Sequence, residues 1–427
     1  MKIKHFVEKV EGETELEFDF KNGIVNNVNI IFPFYRGIEE ILKSRDALDA
    51  LVITPRVCGI CNHAHLIAST RAIENGLIDA GVNIHLTPKA ISLREFTLCC
   101  EIIQSHFKWF YLVAMPQLAN LNKLTISDNH ILKASWVSIN TVKALAIFAG
   151  QWPHSGYVVP GGVSCDPTYE EIIQAEALID DIIRFTQQEF LGISIDEYYK
   201  TKEISNINGD MIEILNMLNN QNMQEKGKSY NRFLALGKHL VFKDGQYDQN
   251  IYGTAKIEYI KEHIQTGSKA KSVAYENKCY EVGPLARAIL EKNDFIMDMH
   301  SKYQDSALTR VCARMDEIVK LLIYTKKLLA NLNVKELSCT LPKFPKDLEA
   351  NGTGIVEAAR GSLIHQSIIK GGKIQNYNII TPTQWNLSNG IEKTSGIATK
   401  AMKGSINTEE ATFIFRTFDV CSVCTTH

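Results

Sequence analysis

Apolar and polar positions alternate over residues 15–31, and an Asn22-Gly23 pair interrupts the alternation where two strands would reverse. A small β-hairpin is therefore expected near the start. Over 88–115 the apolar positions Ile91, Phe96, Leu98, Ile102, Ile103, Phe107, Phe110 and Tyr111 are too dense for a surface stripe, and no glycine breaks them. This predicts a long, mostly buried helix. Helical periodicity also marks 140–149, 169–191, 210–218 and 305–332, the last with Leu308, Val311, Cys312, Met315, Ile318, Val319 and Leu322 on one side. Residues 232–260, with a Lys243-Asp244-Gly245 turn, and 354–380, with Gly371-Gly372, read as short strands at the periphery of a helical body. No repeat of solenoid period and no low-complexity linker marks a boundary. Gly209 and the polar segment 219–230 are the candidates for a mobile excursion.

A chain of 427 residues can bury a large core, and length alone suggests two or three domains. Its 45% hydrophobic and 22% charged residues are those of an ordinary globular protein, and a net charge of -2 gives no basis for nucleic-acid binding. The opening MKIKHFVEKVEGE lacks a signal-peptide core, and the densest apolar run, 109–115, is too short to span a bilayer. The expected location is the cytoplasm, or a membrane surface reached only through partners.

Ten cysteines are present, four of them in two Cys-x-x-Cys pairs, which is not the even framework of a disulfide-stapled domain. Cys58 and Cys61 lie in RVCGICNHAH near one end, and Cys421 and Cys424 lie in DVCSVCTTH at the other. Four thiolates suit zinc, copper(I), iron-sulfur clusters or nickel rather than hard cations. Structural zinc pairs usually sit in one module, separated by roughly 15–20 residues. These pairs can act together only in a fold that brings both ends to its centre.

Arg56-x-Cys58-Gly59-x-Cys61-x-x-x-His65 and Asp419-x-Cys421-x-x-Cys424-x-x-His427 together resemble the paired signatures of the large subunit of nickel–iron hydrogenases. The resemblance covers most of the chain in the family's order and thins between about 170 and 270. Its other landmarks are Val10-Glu11-Gly12, Arg36-Gly37-Ile38-Glu39, Pro153-His154 and Pro160-Gly161-Gly162-Val163. Further on come Tyr280-Glu281-Val282-Gly283-Pro284-Leu285-Ala286-Arg287, Glu357-Ala358-Ala359-Arg360-Gly361 and Pro382-Thr383-Gln384-Trp385-Asn386. The implied fold is a single α-rich α/β unit over 1–427, with a central bundle of long helices, small peripheral sheets, and both termini converging on a buried metal site.

By this resemblance Cys58, Cys61, Cys421 and Cys424 hold nickel, Cys61 and Cys424 bridging to an iron that carries carbon monoxide and two cyanides. The implied reaction is heterolytic cleavage of H2, the metals taking the hydride and a nearby base the proton. Cys421 is the first proton acceptor and Glu11 the relay. Arg360 donates to one cyanide, Thr383 to the other, and Ile60, Leu363 and Pro382 wall the iron ligands. Asp419 orients Arg360 or the thiolates. His65 meets a bridging sulfur, whereas His63 points elsewhere and is expected at the surface. Glu39 and His427 hold a magnesium or ferrous ion that anchors the C-terminal segment.

Large subunits of this family are commonly made with a tail that a protease removes after nickel insertion by maturation proteins, so an end at His427 matches the mature form. The sensory members are made without one. Val420 and Ala359 stand where prolines are usual, Glu13 where a histidine often follows the Glu-Gly, and Ser105 where many members have Asp before the histidine. Ile60 and Phe107 fall at positions where bulk narrows the gas channel of sensory and related cytosolic members, which leans the reading towards an oxygen-resistant branch.

The remaining cysteines, Cys99, Cys100, Cys165, Cys279, Cys312 and Cys339, form no iron-sulfur motif. The resemblance therefore requires an iron-sulfur small subunit, in a heterodimer or higher oligomer, with His154 near the interface. A low-turnover hydrogen sensor is the alternative within the family. A quinone-reaction module of the related respiratory-complex subunit shares the fold without the metal, and retention of all four cysteines argues against it. A zinc-stabilised scaffold predicts zinc and no nickel.

Overall fold

The structure is a computed structural model that describes residues 1–7, 12–201, 203–237, 241–264, 270–345, 347–392 and 394–427. The expected hairpin forms from Thr14–Lys21 and Ile24–Ile31, paired antiparallel from Lys21 opposite Ile24, with Leu16, Phe18, Val28 and Ile30 turned into the core. Lys2–Val7 adds a third strand alongside Thr14–Lys21.

Long helices make the body. Pro88–Lys108 continues through a π-helical segment, Trp109–Ala114, into Met115–Leu121, the wider turn falling just before Pro116, which lacks an amide for the ladder. It packs against Asn129–Ala149 and Ala307–Ala330, and Asn129–Ala149 packs in turn on Tyr169–Phe185. The Asn129–Ala149 helix starts well before the periodicity predicts, because Leu132, Trp136 and Ile139 face outward and break the one-faced pattern. By length and a mean hydropathy of 1.3 this helix is long and apolar enough to cross a membrane, contrary to the expectation from the 109–115 run, and 33% of that apolar window is buried inside the protein.

The strands of 349–380 are not peripheral. Glu349–Ala358, Gly361–Lys370 and Lys373–Ile380 form an antiparallel sheet that lies against Asn62–Asp79, a helix buried on nearly every face. Gly352 and Gly354 allow this approach: a Cβ on either would stand 1.8 Å from the Ala72 carbonyl oxygen or 2.0 Å from that of Ala68. The smaller strands of 232–253 and 260–275 form separate three-stranded and two-stranded sheets, and Arg232–Ala235 packs on the Pro284–Glu291 helix. The tight reversal there falls at Gln249-Asn250, between Gly245–Asp248 and Ile251–Gly253, and not at Lys243–Gly245.

The excursion expected at Gly209 and 219–230 is stitched down. Gly209 sits where a Cβ would meet the Glu189 carbonyl oxygen at 2.5 Å. Lys226 pairs with Glu410 at 2.5 Å, Ser229 N donates to Asp305 at 2.8 Å, and Arg310 donates to the Gly227 carbonyl. Its polar residues read as loop because their partners lie far away in sequence.

Candidate metal centre

Both chain ends reach the same point inside the body. Thr54–Val57 ends in an extended Cys58, Cys61 then starts the Asn62–Asp79 helix, and Cys421 precedes the short turn Ser422–Cys424. Cys58 Sγ stands 3.3 Å from Cys421 Sγ, Cys61 Sγ 3.3 Å from Cys424 Sγ, and Cys421 Sγ 3.0 Å from Cys424 Sγ. All four are free thiols, all are buried, and their sulfurs lie within 4.8 Å of one another.

The sulfurs split each other's titration. Contacts with Cys421, Cys424 and Cys61, with help from the Arg360 charge, hold the Cys58 thiol well below its ordinary range, while the contact with Cys421 pushes Cys61 up and burial pushes Cys424 up. Four thiolates this close repel unless a cation neutralises them, which is the electrostatic requirement a soft metal meets.

Arg36 bridges the two cysteine segments, donating to the Val57 carbonyl on one side and to that of Val423, at 2.7 Å, on the other. Its own amide donates to the Thr426 carbonyl at 3.1 Å. Sequence reasoning gave Arg36 no role beyond marking a landmark, since backbone acceptors leave no trace in residue types. Gly12 lies against the C-terminal pair, where a Cβ would meet Val423 Cγ1 at 2.8 Å, and Thr14 Oγ1 shares a hydrogen bond with Ser422 Oγ. Glu11, the expected relay, lies outside the described residues.

Arg360 occupies the tip of the hairpin between Glu349–Ala358 and Gly361–Lys370. Arg287 braces that tip, donating to the carbonyls of Ala358 at 3.0 Å and Ala359 at 3.3 Å while its guanidinium also pairs with Glu317 and Glu357. Gly283, at φ 117°, backs it from the other side, its Cβ position 2.8 Å from the Arg360 carbonyl oxygen. Arg360 Nε then donates to the Asp419 carbonyl at 3.0 Å and Nη2 to Asp419 Oδ1 at 3.1 Å. Burial opposes the Arg360 charge, but Asp419 and the Cys421, Cys61 and Cys58 sulfurs outweigh it.

Arg360 Nη1 and Thr383 Oγ1 are buried without a protein partner. Thr383 belongs to the short helix Pro382–Asn386, which packs against the Ser422–Cys424 turn. Two orphaned donors beside a thiolate cluster fit a metal group that brings its own acceptors. Leu363 and Pro382 are buried, and Ile60 is half-buried.

His65 Nε2 lies 3.9 Å from Cys424 Sγ, so the sulfur it meets comes from the far end of the chain and not from its own helix. Burial holds its ring neutral, with a pKa of about 3, and its Nδ1 shares a hydrogen bond with His365 Nε2 at 2.9 Å. His63 corrects the expectation of a surface residue: it is fully buried, with Nε2 2.9 Å from Thr97 Oγ1, because the helix carrying it is enclosed on both sides. His427 Nε2 lies 3.4 Å from Glu39 Oε1 and its Nδ1 2.9 Å from the Cys424 carbonyl. Burial works to raise the Glu39 carboxyl, but His427, Lys271 and the Ile379 amide hold it at about 2.

A cavity of about 730 Å³ opens towards Arg360 and Asp419 and is lined by Ile60, Ser105, Trp109, Leu112 and Val420. Phe107, expected at a channel constriction, is not on its wall. It is wholly buried among Tyr111, Phe185 and Phe190 as ordinary core.

A buried cluster of four cysteines at the meeting of both chain ends, capped by an arginine hairpin, defines an α-rich protein with a candidate soft-metal centre. The chain belongs to the nickel-dependent hydrogenase family, whose profile matches residues 36–121 and 236–427. It is 26% identical over 567 aligned residues to the uptake hydrogenase large subunit of Bradyrhizobium diazoefficiens, covering 99% of this chain and 94% of that one. It is 24% identical over 444 residues to the periplasmic [NiFeSe] hydrogenase large subunit of Desulfomicrobium baculatum, covering 88% and 84%. Sulfhydrogenase 2 subunit alpha of Pyrococcus furiosus is 26% identical over 443 residues, covering 98% and 97%. The fold matches the Ni-Fe-Se hydrogenase from D. vulgaris Hildenborough with a TM-score of 0.86 at 23% identity, over the whole of both chains. The chain is a hydrogenase large subunit and an enzyme, and it works with a small-subunit partner.

Proposed function

We propose that this chain carries the nickel–iron centre at which H2 is cleaved heterolytically and reversibly, and that electrons leave through an iron-sulfur small subunit. The observation that carries this reading is the convergence of four free, buried cysteines from opposite chain ends in a member of the nickel-dependent hydrogenase family. Cys58, Cys61, Cys421 and Cys424 would hold a nickel–iron pair whose iron bears carbon monoxide and cyanides. When bound, the metal pair supplies an acceptor for hydride and strengthens the acidity of H2.

The chain's own residues do the rest. Thr383 Oγ1 and Arg360 Nη1, both lacking protein acceptors, are available to the diatomic ligands. Asp419 fixes the Arg360 plane through two hydrogen bonds, so the charge is oriented before substrate arrives. The Cys421 sulfur is the first proton acceptor and Glu11 the outward relay. Leu363, Pro382 and Ile60 keep the surroundings apolar, which strengthens these interactions. Glu39 and His427 would hold a magnesium or ferrous ion, their donors being a carboxylate and an imidazole turned towards each other. We place the protein in the cytoplasm, or at a membrane through its partners, matured by dedicated accessory proteins.

Infrared spectra in the triple-bond region test the reading, recorded on the heterodimer with and without H2. Carbon monoxide and cyanide bands that shift under H2 are expected. A nickel-free, band-free preparation from a host that matures other members of the family would sink it.

A further inference from the structure

The Asn62–Asp79 helix starts directly from a proposed metal ligand. Cys61 is its N-cap, and the Cys61 side chain makes no capping hydrogen bond. An N-cap normally offers a side-chain oxygen to the amides of the second and third helical residues. Those amides belong here to His63 and Ala64, both wholly buried, and without acceptors each would bear its full desolvation cost. Cys61 is not available, because its sulfur is directed at Cys424.

Glu101, in the middle of the Pro88–Lys108 helix, supplies what is missing. His63 N donates to its Oε2 at 2.8 Å and Ala64 N to its Oε1 at 3.0 Å. Trp152 Nε1 adds a third bond to Oε2 at 3.2 Å. The carboxylate is enclosed at 2% exposure, and it also faces the positive end of the helix dipole.

We propose that Glu101 is a positioning residue of the metal centre, capping the Asn62–Asp79 helix from a neighbouring helix so that the N-cap residue, Cys61, keeps its sulfur for the metal. This rests on the reading of Cys61 as a ligand. A cap needs an acceptor oxygen, whereas a proton carrier needs an ionisable carboxyl. Burial pushes the Glu101 carboxyl up to about 7 against its three donors, so the second role is the one the experiment must separate.

The test uses the matured heterodimer in three forms: wild type, Glu101→Gln and Glu101→Ala. Three quantities are read: nickel per protein by elemental analysis, amide hydrogen exchange of peptides spanning 61–66 with 307–330 as internal control, and the pH profile of H2 turnover. Glu101→Gln keeps one acceptor oxygen for the two amides, so exchange at 62–66 intermediate between wild type and Glu101→Ala is expected, with near-normal nickel. Glu101→Ala is expected to exchange at 62–66 at least about fivefold faster, the loss of one ordinary cap, with the control segment unmoved and nickel several-fold lower.

Unchanged exchange and full nickel in both variants, with turnover lost equally and its pH profile altered, would overturn the cap in favour of a proton carrier. If Glu101→Ala yields no folded protein, Glu101→Gln decides alone: faster exchange at 62–66 with the control segment unmoved supports the cap, and exchange at the wild-type rate overturns it. Wild type that carries zinc instead of nickel overturns the nickel–iron reading, while the exchange contrast still reports on the cap.

Discussion

Arg360 and Asp419, 59 positions apart, are joined by two parallel bonds, Nε to the backbone oxygen at 3.0 Å and Nη2 to Oδ1 at 3.1 Å. Asp419 lies two residues before Cys421, so the arginine is located relative to the thiolates by the segment that supplies half of them. Lysine cannot reproduce this, because its single ammonium has no plane and no fork. Arg360→Lys is expected to lower kcat by about a hundredfold or more, the scale of removing one oriented donor, with nickel content unchanged. Turnover near wild type would refute the orientation argument.

Cys58→Ser or Cys421→Ser should abolish nickel binding and turnover together, since a hydroxyl stays protonated where a thiolate is needed. Cys312→Ala is the matched control. Its thiol is equally buried, and burial pushes it up to about 12, far from ligand chemistry. Elemental analysis of the three variants should show nickel only in the control.

Gly283→Ala tests the support behind the Arg360 hairpin. The position has φ 117°, and a methyl there would lie 2.8 Å from the Arg360 carbonyl oxygen, so both strain and collision push the hairpin tip away. We expect a stability loss of about 1–3 kcal/mol by thermal unfolding. Turnover should fall further than that loss explains, with shifted infrared bands. Bands identical to wild type would mean the tip does not move.

Acid should unfold the protein through Glu317. Burial works to raise this carboxyl, but Arg287 and His106 outweigh it and hold it at about 2 in the folded chain. Its folded pKa lies below the unfolded value of about 4.3, so the unfolded state binds more protons between them. The stabilisation is complete above the unfolded pKa and is lost as pH falls towards 2. A contribution of about 3 kcal/mol follows from the size of that shift. Denaturation midpoints should drop steeply below pH 4.5 in wild type and much less in Glu317→Gln, whose starting stability is lower. Parallel curves for the two proteins would remove Glu317 from the account.

Much of the centre was legible from residue types because soft-metal binding restricts them. Two Cys-x-x-Cys pairs with Arg56 and Asp419 ahead of them specify donors that few other sites use. The long helices were legible for a similar reason, since dense apolar periodicity over 88–115 and 305–332 has few other solutions. What escaped notice acts through backbone atoms or through isolation. Arg36 binds the carbonyls of Val57 and Val423, and backbone acceptors carry no residue code. Glu101 had one available signal, a lone acid between Cys100 and Ile102 in a buried stretch, which must have a partner somewhere.

His63 shows the converse. Its spacing from the cysteine pair places it at the surface, and it answers instead to what packs around it, Thr97 and Tyr157. The sequence by itself determined the donor set, the helical body and the opening hairpin, because ligand chemistry and hydrophobic period are local properties of the chain. Tertiary structure alone decided that Cys58 meets Cys421 and Cys61 meets Cys424, that Arg287 and Gly283 hold the Arg360 hairpin, and that a carboxylate on one helix caps another. Those outcomes depend on contacts between residues far apart along the chain, where geometry and desolvation, and not residue type, choose the partner.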